Sequence, residues 1–208
     1  MSTKERPILF SGPMIRAILA GAKTQTRRVV KLPLNERPWH FIECSHSAEN
    51  CNDFIAGFSD RAGSVICIKC PYGKPADPSF DRPADRLWVR ETWAVQHEYD
   101  SAAPSEIGAS ARWHYAATED LGGLRKRPSI FLPRRGSRIL LEITDVRVER
   151  LQEISDDDAR LEGYDRSHAF PREWFARLWA SINGADSWNA NPWVWVVSFR
   201  MVDGGVVA

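Results

Sequence analysis

Residues 138–151 read RILLEITDVRVERL and carry the strongest strand pattern in the chain. Val146 and Val148 alternate there with Arg147 and Glu149, which is the period of two expected when one face of a strand is buried and the other meets solvent. The pattern therefore predicts a long strand, and its partners have to come from elsewhere in the sequence.

Two further segments have the composition of strands: DRLWVRETW at residues 85–93 and PWVWVVSFR at residues 192–200. Apolar residues recur at helical spacing in residues 14–19 and in residues 171–182. Ser155 is typical of a helix N-cap. The aspartates that follow it also indicate a helix start, because acidic side chains favour the positive end of a helix dipole. Several strands with few helices predict an α+β fold, a small mixed or antiparallel β-barrel with flanking helices.

The length of 208 residues predicts a single domain over residues 1–208. Two stretches interrupt its pattern. Residues 33–84 hold all four cysteines without a long periodic element, which predicts a loop-rich insertion. Residues 99–133 predict a second, polar loop region. Loops of this length are uncommon in compact domains, so we expect something to hold the first insertion in place.

The charge of the chain is balanced, with 28 basic and 27 acidic side chains. This balance excludes a protein that binds polyanions through net charge alone. No apolar run approaches the roughly 20 residues of a membrane span, and the amino terminus is polar, without a signal peptide. We therefore expect a cytoplasmic protein with no membrane partner.

Basic residues are concentrated in two segments that contain no acidic residue, residues 23–31 and residues 125–138. On one face of the fold they would form a local positive field suited to phosphate contact. The alternative is that these side chains only solvate loops.

Lys23 and Thr26 lie three residues apart, beside Arg28. A lysine whose pKa is lowered can act as a base toward a hydroxyl, and a threonine hydroxyl can act as a nucleophile. Glu162, which follows the short capped helix, is a candidate acid, or else a surface carboxylate at a helix end. The sequence contains no nucleotide-binding or dinucleotide-binding motif, so we predict no cofactor for catalysis.

The pair Cys67 and Cys70 has the two-residue spacing with which zinc sites aim two thiolates at one ion. The other pair, Cys44 and Cys51, is separated by six residues, which is wider than usual. A structural zinc held by these four cysteines would order the first insertion, and the alternative is that the thiols bind no metal.

The segments GAKTQTRR at residues 21–28 and DRLWVRE at residues 85–91, with the closing strand at residues 194–199, resemble the ASCH domain, a branch of the PUA-like superfamily of RNA-binding proteins. Longer phrases, among them NPWVWV at residues 191–196, are similar to phage and prophage members of that family. The resemblance implies a small β-barrel with flanking helices. Its minimal bacterial member hydrolyses the amide of N4-acetylcytidine, and the residues that match its lysine, threonine and glutamate are Lys23, Thr26 and Glu162.

Three hypotheses follow. The first is a protein that binds RNA or a modified nucleoside in a basic cleft of the barrel, through the residues Arg28, Trp88, Arg90, Glu91, Trp93, Arg134, Arg135 and Arg138. The second is a hydrolase, either an N4-acetylcytidine amidohydrolase or a ribonuclease, in which Lys23 activates Thr26 and Glu162 protonates the leaving amine or positions water. The third is a zinc-stabilised phage accessory protein that acts through protein contacts.

Overall fold

The computed structural model describes residues 3–32, 40–42, 55–59, 65–78, 82–108 and 110–202. In these residues the strands are β1 (Glu5–Leu9), β2 (Gln25–Val29), β3 (His40–Ile42), β4 (Ile55–Ser59), β5 (Val65–Lys69), β6 (Arg86–Arg90), β7 (Trp93–Ala94), β8 (His114–Tyr115), β9 (Leu140–Arg150) and β10 (Trp193–Met201). The α-helices are α1 (Gly12–Leu19), α2 (Asp156–Leu161) and α3 (Pro171–Asn183). The mixture of helices and sheets confirms the predicted α+β class.

The central sheet has five strands in the order β1-β6-β9-β10-β2. β1 pairs with β6 in parallel, and the other neighbours are antiparallel. The predicted barrel is not closed, because the described parts of the edge strands β1 and β2 do not pair with each other. A side chain spans this gap instead: Arg28 of β2 donates a hydrogen bond from Nη2 to the carbonyl oxygen of Leu9 at 3.0 Å.

The two faces of the central sheet carry different apolar cores. On β10, Trp195, Val197 and Phe199 belong to the larger core, which also buries Ile15 and Ile18 of α1. The intervening Val194 and Val196 face the other way and pack with Phe175 and Trp179 of α3. Strand alternation in an apolar sequence thus buries both sides of β10, as expected for a strand between two layers.

The ends of the helices follow sequence signals. Ser155 caps α2, because its Oγ accepts a hydrogen bond from the backbone N–H of Asp158 at 3.0 Å, as predicted. Pro171 begins α3, where its missing N–H costs no hydrogen bond. Glu162 is the C-cap residue of α2, so the end of this short helix fixes the position of its backbone.

The two predicted loop regions contain more structure than the sequence pattern indicated. Within the described part of residues 33–84, β3, β4 and β5 form a separate antiparallel sheet, and Phe58 of β4 is buried in the larger core. A five-residue strand is too short to stand out from its Gly-rich and Pro-rich surroundings. Residues 99–133 contribute Ile107, Ala111 and Leu132 to a third core, which is centred on Trp93.

Candidate functional site

Lys23 and Glu162 form a buried ion pair. A turn with a positive φ angle at Gly21 ends α1 and leads into Lys23, whose backbone forms a bridge with that of Glu162. Lys23 Nζ lies 2.6 Å from Glu162 Oε2, and it also donates to the carbonyl oxygens of Glu162 at 2.9 Å and Gln25 at 2.8 Å. Only 1% of Lys23 and 3% of Glu162 is exposed. All three ammonium protons therefore have acceptors away from solvent.

Burial lowers the pKa of Lys23, and the adjacent Glu162 carboxylate counteracts only part of this shift. The cations of Arg28 and Arg27 lower the pKa further. A lysine in this position loses its proton more readily than a lysine in water. This is the property that a general base requires.

Arg27 holds the other oxygen of the same carboxylate. Its Nη1 donates to Glu162 Oε1 at 3.2 Å and to Gln25 Oε1 at 2.7 Å. Its Nε donates to Glu149 Oε1 at 2.9 Å, and its Nη2 donates to Asp158 Oδ2 at 3.1 Å. The guanidinium is thus fixed by three carboxylates, and the two oxygens of Glu162 each face a different cation.

Thr26 lies on the opposite face of β2 from Gln25 and Arg27, as strand alternation requires. Its side chain is buried, with 1% of the residue exposed. Arg28 Nη1 donates to Thr26 Oγ1 at 3.0 Å, and the Arg28 guanidinium lies 5.5 Å from the ring centroid of Phe10. Among the hydrogen bonds of the described residues, none joins Thr26 Oγ1 to Lys23 Nζ. Arg28, and not Lys23, is the hydrogen-bond partner of the Thr26 hydroxyl in the described residues.

A cavity of about 480 Å³, here called the Phe10 cavity, opens where β1, β2 and α3 meet. Its walls are mostly apolar and include Leu9, Phe10, Met14, Val29, Phe175, Leu178, Trp179 and Ile182. Its polar groups are Ser11, Arg27, Arg28, Thr92, Ser129, Glu162 and Asn183. Lys23 and Thr26 are not in its lining, so a ligand in the cavity meets Glu162 and Arg28 before it meets either of them.

A second cavity of about 580 Å³, here called the Tyr164 cavity, adjoins the Phe10 cavity. The two share Ser11, Met14, Glu162 and Leu178. Glu162 therefore lines both cavities.

The predicted ligand-binding residues of the segment 85–93 are held by contacts within the protein. Trp93 has no exposed surface, and neither Trp93 nor Trp88 lines the Phe10 cavity, so neither is placed to stack on a base there. Glu91 is 2% exposed and accepts two hydrogen bonds from Arg138, at 2.9 and 3.0 Å. Arg90 lies over the Trp88 ring at 4.6 Å and forms no ion pair with a described carboxylate.

The remaining predicted ligand-binding arginines lie apart from the Phe10 cavity. Arg134 Nε is 2.6 Å from Glu5 Oε2, in an ion pair on the surface. Arg135 donates to the carbonyl oxygens of Pro104 and Ser105, both at 2.8 Å. Of the eight residues proposed for ligand binding from the sequence, Arg28 is the one that the structure brings into the cavity.

The predicted zinc ligands are only partly covered by the structure. Cys44 and Cys51 lie outside the described residues. Cys67 is exposed and Cys70 is buried, and burial raises the pKa of the Cys70 thiol. The described residues contain no group of three His, Cys, Asp or Glu side chains that could hold a metal. The four-cysteine site stays a prediction, and metal analysis of purified protein tests it.

Two parts of the site were not predicted from the sequence. Arg27 was not among the predicted site residues, although alternation along β2 separates Arg27 from Thr26 and Arg28 and places it with Gln25. The apolar residues of α3 were predicted only as a helix. Trp179 and Phe175 do pack in a core, but they line the Phe10 cavity as well.

None of the helices in the described residues is long and apolar enough to span a membrane. In comparisons with known proteins, the chain matches no protein-family model, no curated protein and no solved structure.

Proposed function

We propose that this protein is an ASCH-type, PUA-like hydrolase that removes an acyl group from the exocyclic amine of a modified nucleoside. One observation carries the proposal: the 2.6 Å contact between Lys23 Nζ and Oε2 of Glu162, a residue that lines a cavity with aromatic walls. Lys23 and Thr26 are close in sequence, but Glu162 lies 139 residues from Lys23, and only the fold brings it there.

The Phe10 cavity suits a nucleoside. Its volume lies within the range of roughly 300–1,000 Å³ typical of small-molecule sites, and such sites combine apolar walls with a few polar groups. Phe10, Phe175 and Trp179 supply aromatic surface for a planar base. Arg28 and Glu162 supply a donor and an acceptor for the polar edge of that base.

In the proposed reaction Lys23, in its neutral form, takes the proton of Thr26 Oγ1 while that oxygen attacks the acyl carbon. For this step Lys23 exchanges one of its three present acceptors for Thr26. Arg28, already a donor to Oγ1, turns to the developing oxyanion. When the carbon–nitrogen bond breaks, the leaving amine takes the proton from Lys23. Water, positioned by Glu162, then attacks the ester carbon while neutral Lys23 takes one of its protons. The carbon–Oγ1 bond breaks, Thr26 Oγ1 receives that proton from Lys23, and the carboxylic acid is released.

The test is turnover of N4-acetylcytidine to cytidine and acetate, followed by chromatography. We expect Thr26→Val to reduce the rate at least about a hundredfold, because it removes the nucleophile but conserves shape. Thr26→Ser should retain much of it. Lys23→Met should also abolish turnover, and Lys31→Met, which alters an exposed lysine beyond the end of β2, is its matched control. Turnover that survives Thr26→Val would exclude the proposed nucleophile.

A second candidate function is binding of RNA or a modified nucleoside without turnover. It is favoured by the hydrogen bond with which Arg28 covers Thr26 Oγ1, and by the absence of Thr26 from the cavity lining. Because Trp179 lines the cavity, its fluorescence should report ligand binding. Saturable quenching by N4-acetylcytidine, with no product after prolonged incubation, would identify a binding protein.

We also propose that the protein acts in the cytoplasm, a reducing compartment in which the buried Cys70 would remain a thiol.

A further inference from the structure

A shallow groove of about 260 Å³, distinct from the Phe10 cavity, lies on the surface of the second loop region, residues 99–133. We call it the Phe131 groove. It is lined by Pro104, Arg125, Lys126, Arg127, Pro128 and Phe131, none of which is acidic. One of its walls is the 3₁₀ helix Ser129–Phe131. Arg127 is buried, with its guanidinium over the Trp93 ring. The groove therefore presents two exposed basic side chains, Arg125 and Lys126, and an aromatic ring to one ligand.

The cations around this groove are not paired with carboxylates among the described residues. Arg125 donates to the carbonyl oxygen of Asp100, and Arg127 donates to the carbonyl oxygens of Tyr99, Asp100 and Ala102. Arg135, at the Pro104 end, also donates only to carbonyl oxygens. A carbonyl is neutral, so these hydrogen bonds fix the guanidinium groups without compensating them. Within the described part of the chain, no carboxylate forms an ion pair with any of these arginines or with Lys126.

The other arginines of the same sequence segment are different. Arg134 pairs with Glu5, and Arg138 pairs with Glu91. Their charge is already compensated inside the protein, so they attract an anion much less. The uncompensated positive charge of residues 125–138 is thus concentrated at the Phe131 groove.

An exposed aromatic ring lies beside these cations. Phe131 is 57% exposed, and its neighbour Ile130 is 56% exposed. Exposure of a large apolar ring costs free energy, and it is a recurring feature of binding surfaces. A basic groove with an aromatic ring that a base can stack on is the combination that binds single-stranded nucleic acids. An acidic polypeptide would use the cations but would not require the ring.

We propose that the Phe131 groove is a binding site for single-stranded nucleic acid, in which one base stacks on Phe131 and the flanking phosphates meet Arg125 and Lys126. Pro128 and Phe131 line the groove, whereas Ser129 lines the Phe10 cavity. Residues of one short segment, 128–131, thus contribute to both linings. The proposal extends to a neighbouring nucleotide of the same strand, which would enter the cavity. That last step rests on the proposed function, and binding in the groove does not.

The experiment is fluorescence anisotropy with a labelled single-stranded RNA and a DNA of the same sequence, each at several salt concentrations. We expect Phe131→Ala to weaken binding about tenfold, since loss of one base–aromatic stack has an effect of that order. Lys126→Ala should reduce the slope of log affinity against log salt by about 0.7, the value for one phosphate contact on a single strand.

Two control variants isolate these effects. Phe170→Ala removes a phenyl ring that is 58% exposed but lies outside the groove. Lys4→Ala removes one positive charge from an exposed position elsewhere. Neither should change the affinity more than about twofold. Equal losses in the groove variants and the controls, or affinity that is independent of salt, would overturn the proposal.

Competition by poly-glutamate decides between the two kinds of partner. If it displaces the RNA from wild-type protein and from Phe131→Ala equally well, the groove binds acidic polypeptides and the nucleic-acid assignment is wrong. The variant Thr26→Val separates the groove from the hydrolase proposal. It should bind RNA as wild type does whether or not wild type turns over N4-acetylcytidine.

Discussion

Replacement of Glu162 by Gln tests the buried ion pair directly. The substitution conserves shape but leaves the Lys23 ammonium without its counterion and removes one of the three carboxylates around Arg27. Removal of one partner from a buried pair typically costs about 3–5 kcal/mol. For a chain of 208 residues this corresponds to a fall in melting temperature of about 6–20 °C.

The cost should depend on pH. The Glu162 carboxylate raises the pKa of Lys23, so without it that pKa falls further below the ordinary lysine value of about 10.4, which the unfolded chain keeps. At pH values between the pKa of Lys23 in the folded state and its higher pKa in the unfolded state, the unfolded state binds more protons than the folded state. The free energy of unfolding therefore rises with pH there, by at most about 1.4 kcal/mol per pH unit. In Glu162→Gln this window begins at a lower pH than in wild type. The largest destabilisation is therefore expected at the acidic end of the window.

The assay is urea denaturation of wild type and variant at a series of pH values. Glu142→Gln is the matched control, because Glu142 pairs with Arg200, whose side chain is 71% exposed, and such surface pairs contribute at most about 1 kcal/mol. If Glu162→Gln costs no more than Glu142→Gln at every pH, Lys23 carries no buried charge that depends on this carboxylate. Lys23→Met combined with Glu162→Gln should cost less than the sum of the two single changes, because it removes both charges.

Three further outcomes are expected. Turnover should rise with pH and level off below the ordinary lysine pKa, because in the proposed reaction Lys23 acts in its neutral form and burial lowers its pKa; a rate that falls over this range would exclude it as the base. Gly163→Ala should cost about 1–3 kcal/mol in urea denaturation, because φ is +95° and the new Cβ would lie 3.2 Å from Lys23 Cβ. Gly122→Ala, also at positive φ but with open space around it, should cost less, and equal costs would contradict crowding around the lysine. Ser155→Ala should cost about 1 kcal/mol through loss of the hydrogen bond from Asp158, whereas Ser155→Asp should retain most of the stability.

Local signals predicted much of the secondary structure. β9 shows its alternation and β10 its strand composition in the sequence, and Ser155 and Pro171 mark the starts of two helices. These features depend on neighbours within a few residues, which is the range over which a pattern is informative. The strand order was not predictable in this way. Nothing in the residues around β10 indicates that it lies between β9 and β2, because that placement depends on pairing across the whole chain.

The candidate site was likewise predictable only where its residues are close together in the sequence. Lys23 and Thr26 are close enough in sequence to be noticed together, whereas Glu162 was linked to them only through a family resemblance. Whether an arginine is available to a ligand was not visible at all. Arg138 and Arg135 have the same local composition, yet one is neutralised by a buried glutamate and the other meets only carbonyl oxygens. Charge compensation by distant residues is a property of the fold.

The backbone bridge between Lys23 and Glu162 has a consequence for the order in which the chain is made. Ribosomes add about 5–20 residues per second, so Lys23 exists for about 7–30 s before its partner, 139 residues later, has been synthesised. β10 is made later still, and it joins β2 to the rest of the central sheet. Lys23 and Thr26 therefore spend this time without the carboxylate and the strand that position them. The proposed catalytic residues are assembled only after nearly all of the described chain has left the ribosome, so an incomplete chain cannot have the activity.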